Sequence, residues 1–327
     1  MNISKPLNTR DEHATHILRR LLFIGAPKCL VQLCYLIMLA NVQLEYGSLG
    51  CVDYFAGVGR IAQVFRRRGH VAVAYEIQNC PMTMNILTSL GFISAVCLAL
   101  QAQDAACATG GPVCSSWIWL NRGTSQRSLL NPMGDTTKLS VADGNLMVSR
   151  FCLILFILQA ASVWWLLEQP KGSLLECHRR MQQILKQFEA FRKHIRMKYF
   201  GADTQKDTWL YSPDKEALDE LDTLHQPKQE CAEKQMVRKY QDSTGAWRIC
   251  GGADLHASSA YPWGFAEAIA SAHERHYPRL ATRATQLNAE VANAELDLDF
   301  CRQPLLDEDT WTDAKLEEVV QFLTQAT

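Results

Sequence analysis

The sequence predicts an α/β fold with a mainly parallel sheet, helices on both faces of the sheet and an antiparallel hairpin at its end. The first observation is that short apolar runs, typical of buried strands, alternate along the chain with longer segments of helical periodicity. The second is a compact unit in which the apolar run Gly50–Phe55 leads through a glycine turn into a helical segment capped by Gly69, and then into the run Val71–Ile77. Strand, turn, helix and strand in this order form a βαβ unit of nearly minimal length, which makes the two strands parallel.

The other elements follow from local sequence signals. Residues from about Asp11 to Val42 have helical spacing of apolar positions, interrupted at Gly25-Ala26-Pro27. The run Phe92–Gln101 is compatible with either a helix or a strand. The remaining segments are expected to be the helices Pro81–Leu90 and Asn145–Gln159, the strands Ala105–Gly111 and Ser162–Pro170, the hairpin Arg196–Gly201 with Asp207–Ser212, and the turn and helix Tyr261–His276.

The segment Phe151–Leu167 has the composition of a membrane span, but it is slightly short for a bilayer. It also changes at Ala160–Ser162 from a Leu/Ile-rich to a Val/Trp-rich run. A buried helix followed by a buried strand explains this change better, and we expect no membrane partner. The polar start of the chain lacks the short apolar core that a signal peptide needs.

The amino-acid composition limits the classes of function that this chain can have. The 327 residues are 48% hydrophobic and 20% charged, which is ordinary for a globular protein. The 33 basic and 34 acidic side chains give a net charge of −1, which argues against a uniformly basic nucleic-acid coat but allows a local basic groove. The 12 cysteines include no C-x-x-C pair, so we expect no metal site and mostly free thiols in a reducing intracellular compartment, nucleus or cytoplasm.

Three regions are expected along the chain. Residues 1–46 form an added N-terminal helical region, and residues 47–276 form the main domain with a polar insertion at about 213–246. Residues 277–327 are acidic and low in aromatic residues, so they are expected to be a peripheral tail. Sequence alone leaves the oligomeric state open.

The motif DYFAGVGR places small residues where the first strand turns into a helix. Gly57 and Gly59 let the backbone approach a ligand closely, and the N-terminus of the helix suits an anionic or polar group. Glu76 ends the second strand, where a carboxylate can accept hydrogen bonds from the two hydroxyls of a ribose. Together these residues indicate an adenosine-containing cofactor, either NAD or S-adenosylmethionine, at the carboxyl ends of the strands.

A second motif, GGPVCSSWIWLNRGTSQR, follows the small-residue strand and brings Cys114 to the same edge. A thiolate there could attack an electron-poor carbon if nearby positive charge or N–H groups lowered its pKa. Glu168 ends the next strand at this edge and could protonate a ring nitrogen while the thiolate adds. With 12 cysteines, most are expected to be small core residues, but Cys114 lies in a polar loop rather than an apolar run.

The order of DYFAGVGR, YEI, GPVCSS and EQP resembles that of the DNA cytosine-5 methyltransferases, which belong to the class I, Rossmann-like methyltransferases. The segment Tyr199–Asp207 and the turn before the last helix are also similar to this family. The resemblance implies that Cys114 attacks C6 of a flipped-out cytosine, that Glu168 contacts N3, and that Lys206 stands at the position of the family's basic residue. It implies an S-adenosylmethionine site built from Asp53, Phe55, Ala56, Gly57, Gly59, Glu76, Ile77 and Pro112.

Substrate contacts are expected beside the nucleophile. The candidates are Ser115, Trp117, Arg122, Arg127 and Gln169. The tryptophans of this loop, Trp117 and Trp119, could stack a base while the arginines meet phosphates, or they could equally pack the loop down. Nucleic acid is thus the expected partner, DNA before RNA.

Two other functions compete with methyl transfer. Pro112 stands one position earlier than the proline of the family, Val113 intervenes before Cys114, and no long target-recognition region is evident. These departures favour a catalytically inactive methyltransferase-like fold that acts as a binding or interaction module. An NAD-linked oxidoreductase is the third hypothesis, weakened by the incomplete glycine fingerprint.

Overall fold

A computed structural model describes residues 9–40, 44–223, 237–245, 247–251, 260–292 and 294. The helices are α1 (Thr9–Phe23), α2 (Lys28–Leu39), α3 (Arg60–Arg67), α4 (Ser89–Leu100), α5 (Arg122–Ser125), α6 (Leu139–Ala160), α7 (Arg179–Gln187), α8 (Lys215–Thr223) and α9 (Trp263–Ala292). The strands are β1 (Leu49–Tyr54), β2 (Ala72–Tyr75), β3 (Ala102–Gly110), β4 (Trp164–Pro170), β5 (Phe191–Arg196), β6 (Asp207–Ser212), β7 (Val237–Gln241) and β8 (Trp247–Gly251).

The main sheet has six strands in the order β2-β1-β3-β4-β6-β5. Strands β1 to β4 are parallel to one another, whereas β6 runs antiparallel to both of its neighbours, β4 and β5. The carboxyl ends of the four parallel strands therefore meet at one edge of the sheet, where ligands commonly bind in open α/β folds. Strands β7 and β8 form a separate antiparallel pair. The predicted α/β class with a mainly parallel sheet is confirmed.

Helices cover both faces of this sheet, because successive side chains of each buried strand point to opposite sides. Trp165 and Leu167 of β4 pack with α1, α2, α4, α6 and α7, whereas Trp164 and Leu166 pack with α3, α8 and α9. Both pairs are at most 3% exposed, which explains why β4 reads as a continuous apolar run.

Two predicted boundaries were wrong. The segment predicted to be a helix at Pro81–Leu90 consists largely of turns, and α4 begins only at Ser89, after Thr88 caps the helix by accepting from the Gly91 N–H. The first strand of the predicted hairpin is Phe191–Arg196, and the residues that follow it form a 3₁₀ turn, Met197–Phe200. The basic residues Arg192, Lys193 and Arg196 therefore lie on the edge strand β5.

A buried side chain of α1 joins this helix to β3, α6 and the last helix, α9. Arg20 of α1 is 2% exposed and donates to the Asp104 carboxylate at 3.0 Å and to the Ala160 carbonyl at 2.8 Å. It also donates to Asn288 of α9. Helix α9 runs past residue 277, the start of the predicted tail, and buries Leu280. Residues 295–327 of that tail lie outside the described residues.

Helix α6 and strand β4 confirm the interpretation of the membrane-like segment as a helix followed by a strand. Over the described residues, α6 is the one helix long and apolar enough to cross a bilayer, and 67% of its most apolar window is buried inside the fold. Packing against the sheet thus accounts for its apolar composition.

Candidate functional site

The turn after β1 is built from residues with unusual backbone conformations. Gly57 and Gly59 have φ angles of +54° and +69°, in the left-handed region that glycine tolerates best. Phe55 also has a positive φ, +56°, which is uncommon outside glycine and marks a locally strained position. Its ring is held edge-on by Phe151 of α6, with centroids 5.2 Å apart. Ala56 is buried within the same turn.

Glu76 connects this turn to the end of β2. The Gly57 N–H donates to its Oε2 at 2.8 Å, and the Gln78 N–H donates to its Oε1 at 3.3 Å. The side chain is 9% exposed. Since each carboxylate oxygen can accept more than one hydrogen bond, Glu76 keeps acceptor capacity for hydroxyl groups of a ligand. Ile77, the next residue, is 44% exposed beside it.

Asp53 lies beneath the turn, at the end of β1. Its Oδ1 accepts from the Thr109 hydroxyl at 2.7 Å, and Thr109 is its register partner on β3. Its Oδ2 is buried without a hydrogen-bond partner among the described residues. Burial raises the pKa of Asp53 to about 6, against the lowering effect of the Thr109 hydrogen bond. Such a buried, incompletely satisfied acid costs stability and is typical of functional sites.

These residues could hold an adenosine-containing cofactor. A side chain added at Gly57 would meet no atom within 4 Å, so open space lies directly against the turn. Glu76 supplies carboxylate acceptors, and the exposed Val58 and Ile77 supply apolar surface beside them. Asp53 is fully buried beneath the turn, so it supports the turn and does not itself face this open space.

The loop after β3 carries Cys114 in a tight turn. The Cys114 carbonyl accepts from the N–H groups of Trp117 at 2.8 Å and Ile118 at 3.0 Å. Before this turn, the Gln169 side-chain amide donates to the carbonyl of the buried Pro112 at 2.7 Å. Gln169 is only 1% exposed, and its Oε1 also accepts from Ser173. Gln169 therefore fixes the nucleophile loop to β4 and does not face a substrate, contrary to expectation.

Glu168, Lys206 and Tyr261 meet next to Cys114. Lys206 Nζ lies 3.8 Å from Glu168 Oε1, and the Tyr261 hydroxyl donates to Glu168 Oε2 at 3.2 Å. The ammonium of Lys206 also lies 5.4 Å from the centre of the Tyr261 ring. Lys206 has a positive φ of +33°, so a second strained residue lies in the site. The three residues predicted to act on the substrate, Cys114, Glu168 and Lys206, are thus brought together.

The electrostatic surroundings hold Cys114 as a thiol. Burial raises its pKa, the negative charge of Glu168 raises it further, and the positive charge of Lys206 opposes both effects. The lowered thiol pKa that a standing thiolate at Cys114 would require is therefore not found in the structure described. A thiolate forms here only when its proton is transferred to an acceptor.

Two predicted substrate contacts, Trp117 and Arg127, are structural. Trp117 is fully buried and Arg127 is 2% exposed, with the guanidinium carbon 3.4 Å from the indole centre. Arg127 donates to oxygen atoms of Ser116, Pro132, Val141 and Asn145. The guanidinium hydrogen bonds are thus made within this loop and to α6, so neither side chain can reach a base or a phosphate.

Ser115, Arg122 and Trp119 remain at the surface of the loop. Sequence reasoning could not separate Trp119 from Trp117, because both stand in the same polar loop. It also missed Tyr261, whose contact with Glu168 joins residues 93 positions apart. The one available signal was the placement of Tyr261 directly before the proline that opens the last helix.

The fold and site define an α/β protein with an open glycine turn and a Cys–Glu–Lys cluster at the carboxyl edge of its parallel strands. Among the described residues, no group of His, Cys, Asp or Glu side chains could hold a metal ion. No protein-family model matches the chain, and no curated protein shows significant sequence similarity to it.

Proposed function

We propose that this protein transfers a methyl group from S-adenosylmethionine to a cytosine base of nucleic acid, with Cys114 as the nucleophile. The observation that carries this proposal is the convergence of Cys114, Glu168 and Lys206 beside an open glycine turn. A cofactor site and a nucleophile at the same sheet edge suit a reaction that joins a bound group to a bound base.

The architecture is compatible with a Rossmann-like, class I methyltransferase fold. Four parallel strands are followed by the hairpin of β5 and β6, with helices on both faces. The cofactor would be held by the Phe55–Gly59 turn and by Glu76, with Asp53 beneath the turn. When bound, S-adenosylmethionine supplies an electrophilic methyl group.

The residues beside Cys114 can accept and deliver the proton that moves in the addition step. As the sulfur of Cys114 bonds to C6 of the base, the thiol loses its proton and N3 of the ring gains one. The Glu168 carboxylate can accept the first proton and deliver it to N3. Lys206 lies beside this carboxylate and opposes the charge that disfavours a thiolate at Cys114. After methylation at C5, a basic group or water takes the C5 proton as the C6–S bond breaks. N3 then returns its proton through Glu168 to the departing Cys114 sulfur, which leaves the neutral methylated base and the free thiol.

The first test is calorimetric titration of the full chain with S-adenosylmethionine, with NAD as the control ligand. Saturable binding of S-adenosylmethionine alone supports the proposal, and binding of NAD alone would replace it with the oxidoreductase hypothesis. Glu76→Ala is expected to weaken binding by about ten-fold or more, because the ribose hydroxyls lose a carboxylate acceptor. Glu274→Ala, which removes an exposed carboxylate paired with Arg68 far along α9, is the matched control. Equal affinity of both variants would contradict the assigned cofactor site.

The second test separates chemistry from cofactor binding. Cys114→Ala is expected to abolish methyl transfer to cytosine-containing DNA, or otherwise RNA, while cofactor affinity stays nearly unchanged. Retained methyl transfer in this variant would exclude the covalent mechanism.

A catalytically inactive binding module is the second candidate function, and the raised pKa of Cys114 favours it. This alternative predicts S-adenosylmethionine or nucleic-acid binding without methyl transfer to any acceptor. It also predicts that Cys114→Ala leaves nucleic-acid affinity unchanged.

A further inference from the structure

The nucleophile loop has one aromatic side chain that its own packing leaves available. Trp119 is 47% exposed, whereas Trp117, two residues earlier, is completely buried. The Arg122 guanidinium lies 4.1 Å from the centre of the Trp119 ring. One face of Trp119 is thus covered by a cation, and the exposed remainder is a flat aromatic surface.

The backbone that carries this ring is held between the segments that bear Cys114 and Glu168. The backbone N–H of Trp119 donates to the Gly172 carbonyl at 3.0 Å, which ties this residue to the segment that follows Glu168 and β4. On the other side, the Asn121 side-chain amide donates to the Ser115 carbonyl, next to Cys114. Trp119 therefore bridges the two segments that carry the nucleophile and the acid.

The charge of the loop suits an anionic partner. No acidic residue occurs between Ala105 and Gly134, and Arg122 forms no ion pair within the described part of the chain. Lys171 is exposed in the neighbouring segment. A planar ring with a cation behind it and unpaired positive charge around it is what a nucleobase and its phosphate require.

We propose that Trp119 and Arg122 form a stacking platform for the nucleotide next to the target base. The proposal rests on the proposed function, and it specifies the substrate further. The neighbouring base must be unstacked from its own strand, so a single strand or an opened duplex is bound in preference to an intact helix.

The test is fluorescence anisotropy with a labelled single-stranded 12-mer that contains one cytosine, at a fixed salt concentration because salt sets such affinities. Trp119→Ala is expected to weaken binding by about ten-fold, since stacking of one base on an aromatic ring contributes this much. Trp263→Ala removes a tryptophan that is 39% exposed and also stacked against arginines, on α9, and is expected to bind as the wild type does.

A second ligand series identifies the contact. The nucleotides on the two sides of the cytosine are replaced one at a time by an abasic nucleotide. One of these changes is expected to weaken binding to the wild type by about ten-fold and to leave binding to Trp119→Ala unchanged. Equal penalties for both proteins would overturn the proposal, as would equal affinity of the two proteins for the intact 12-mer. A change of oligomeric state in Trp119→Ala without a change in affinity would assign the surface to a second copy of the chain.

The outcome is distinguishable from failure of the proposed function. Nucleic-acid binding that depends on Trp119 but is not accompanied by methyl transfer would support the stacking platform and contradict the proposed enzyme activity. Methyl transfer that does not depend on Trp119 would support the proposed enzyme activity and contradict the stacking platform.

Discussion

Replacing Asp53 with asparagine is expected to change the pH dependence of stability in a defined direction. The buried carboxyl has a pKa of about 6 in the folded protein, against an ordinary value of 3.8. The folded protein therefore binds this proton more tightly than the unfolded chain does. The stability that results is present at low pH and is lost as the pH rises from about 4 to above 6.

The size of the effect follows from these two values. The difference of about 2.2 pH units, at about 1.36 kcal/mol for each unit, corresponds to about 3 kcal/mol between strongly acidic and neutral pH. About 2 kcal/mol of it falls between pH 4.5 and 7.5. Asparagine cannot ionise, so the variant lacks this term. Its amide group can still accept from Thr109, but its Nδ2 takes the unpartnered position of Oδ2 and costs about 1–2 kcal/mol at every pH.

The assay is urea unfolding of the wild type and Asp53→Asn at pH 4.5 and pH 7.5. The free energy of unfolding of the variant minus that of the wild type should increase by about 2 kcal/mol between the two pH values. The pH-independent cost of the amide cancels in this comparison. Asp135→Asn is the control, because hydrogen bonds from Thr137 lower the pKa of that exposed carboxyl below 3.8, so it stays ionised at both pH values and its difference should be nearly constant. A difference for Asp53→Asn that stays the same at both pH values would refute the reasoning.

Two further predictions concern the nucleophile loop. Glu168→Gln should shift the pH profile of Cys114 alkylation, followed by peptide mass spectrometry, to lower pH because a charge that raises the thiol pKa is gone; Lys206→Met should shift it to higher pH. An unchanged profile in both variants would mean that these charges do not act on the thiol. Arg127→Ala should lower the free energy of unfolding by about 3 kcal/mol because it leaves several buried oxygen atoms unpaired, whereas the exposed Arg122→Ala should stay within about 0.5 kcal/mol. Comparable losses in the two arginine variants, measured in urea, would contradict the structural assignment.

Local signals were sufficient where the decisive interactions are close in sequence. The βαβ unit of β1, α3 and β2 was predictable because a glycine turn and two buried apolar runs lie within about 30 residues. The division of the membrane-like segment was also predictable, since the composition changes where α6 ends and β4 begins. Pro81–Leu90 was mistaken for a helix, because the capping residue Thr88 marks the start of the next helix, α4, and not the interior of a longer one.

The sequence by itself determined which sheet edge carries the site. In a parallel sheet, residues that follow the strands must meet at the same edge, so Gly57, Cys114 and Glu168 could be grouped from their order alone. The tertiary structure decided which of the side chains near this edge remain accessible to a ligand. In the folded protein Trp117 is buried, and the Gln169 amide is hydrogen-bonded to the Pro112 carbonyl. Tyr261 is brought within hydrogen-bonding distance of Glu168. These outcomes depend on long-range packing and on where each polar atom finds its hydrogen-bond partner, and neither is encoded in local periodicity.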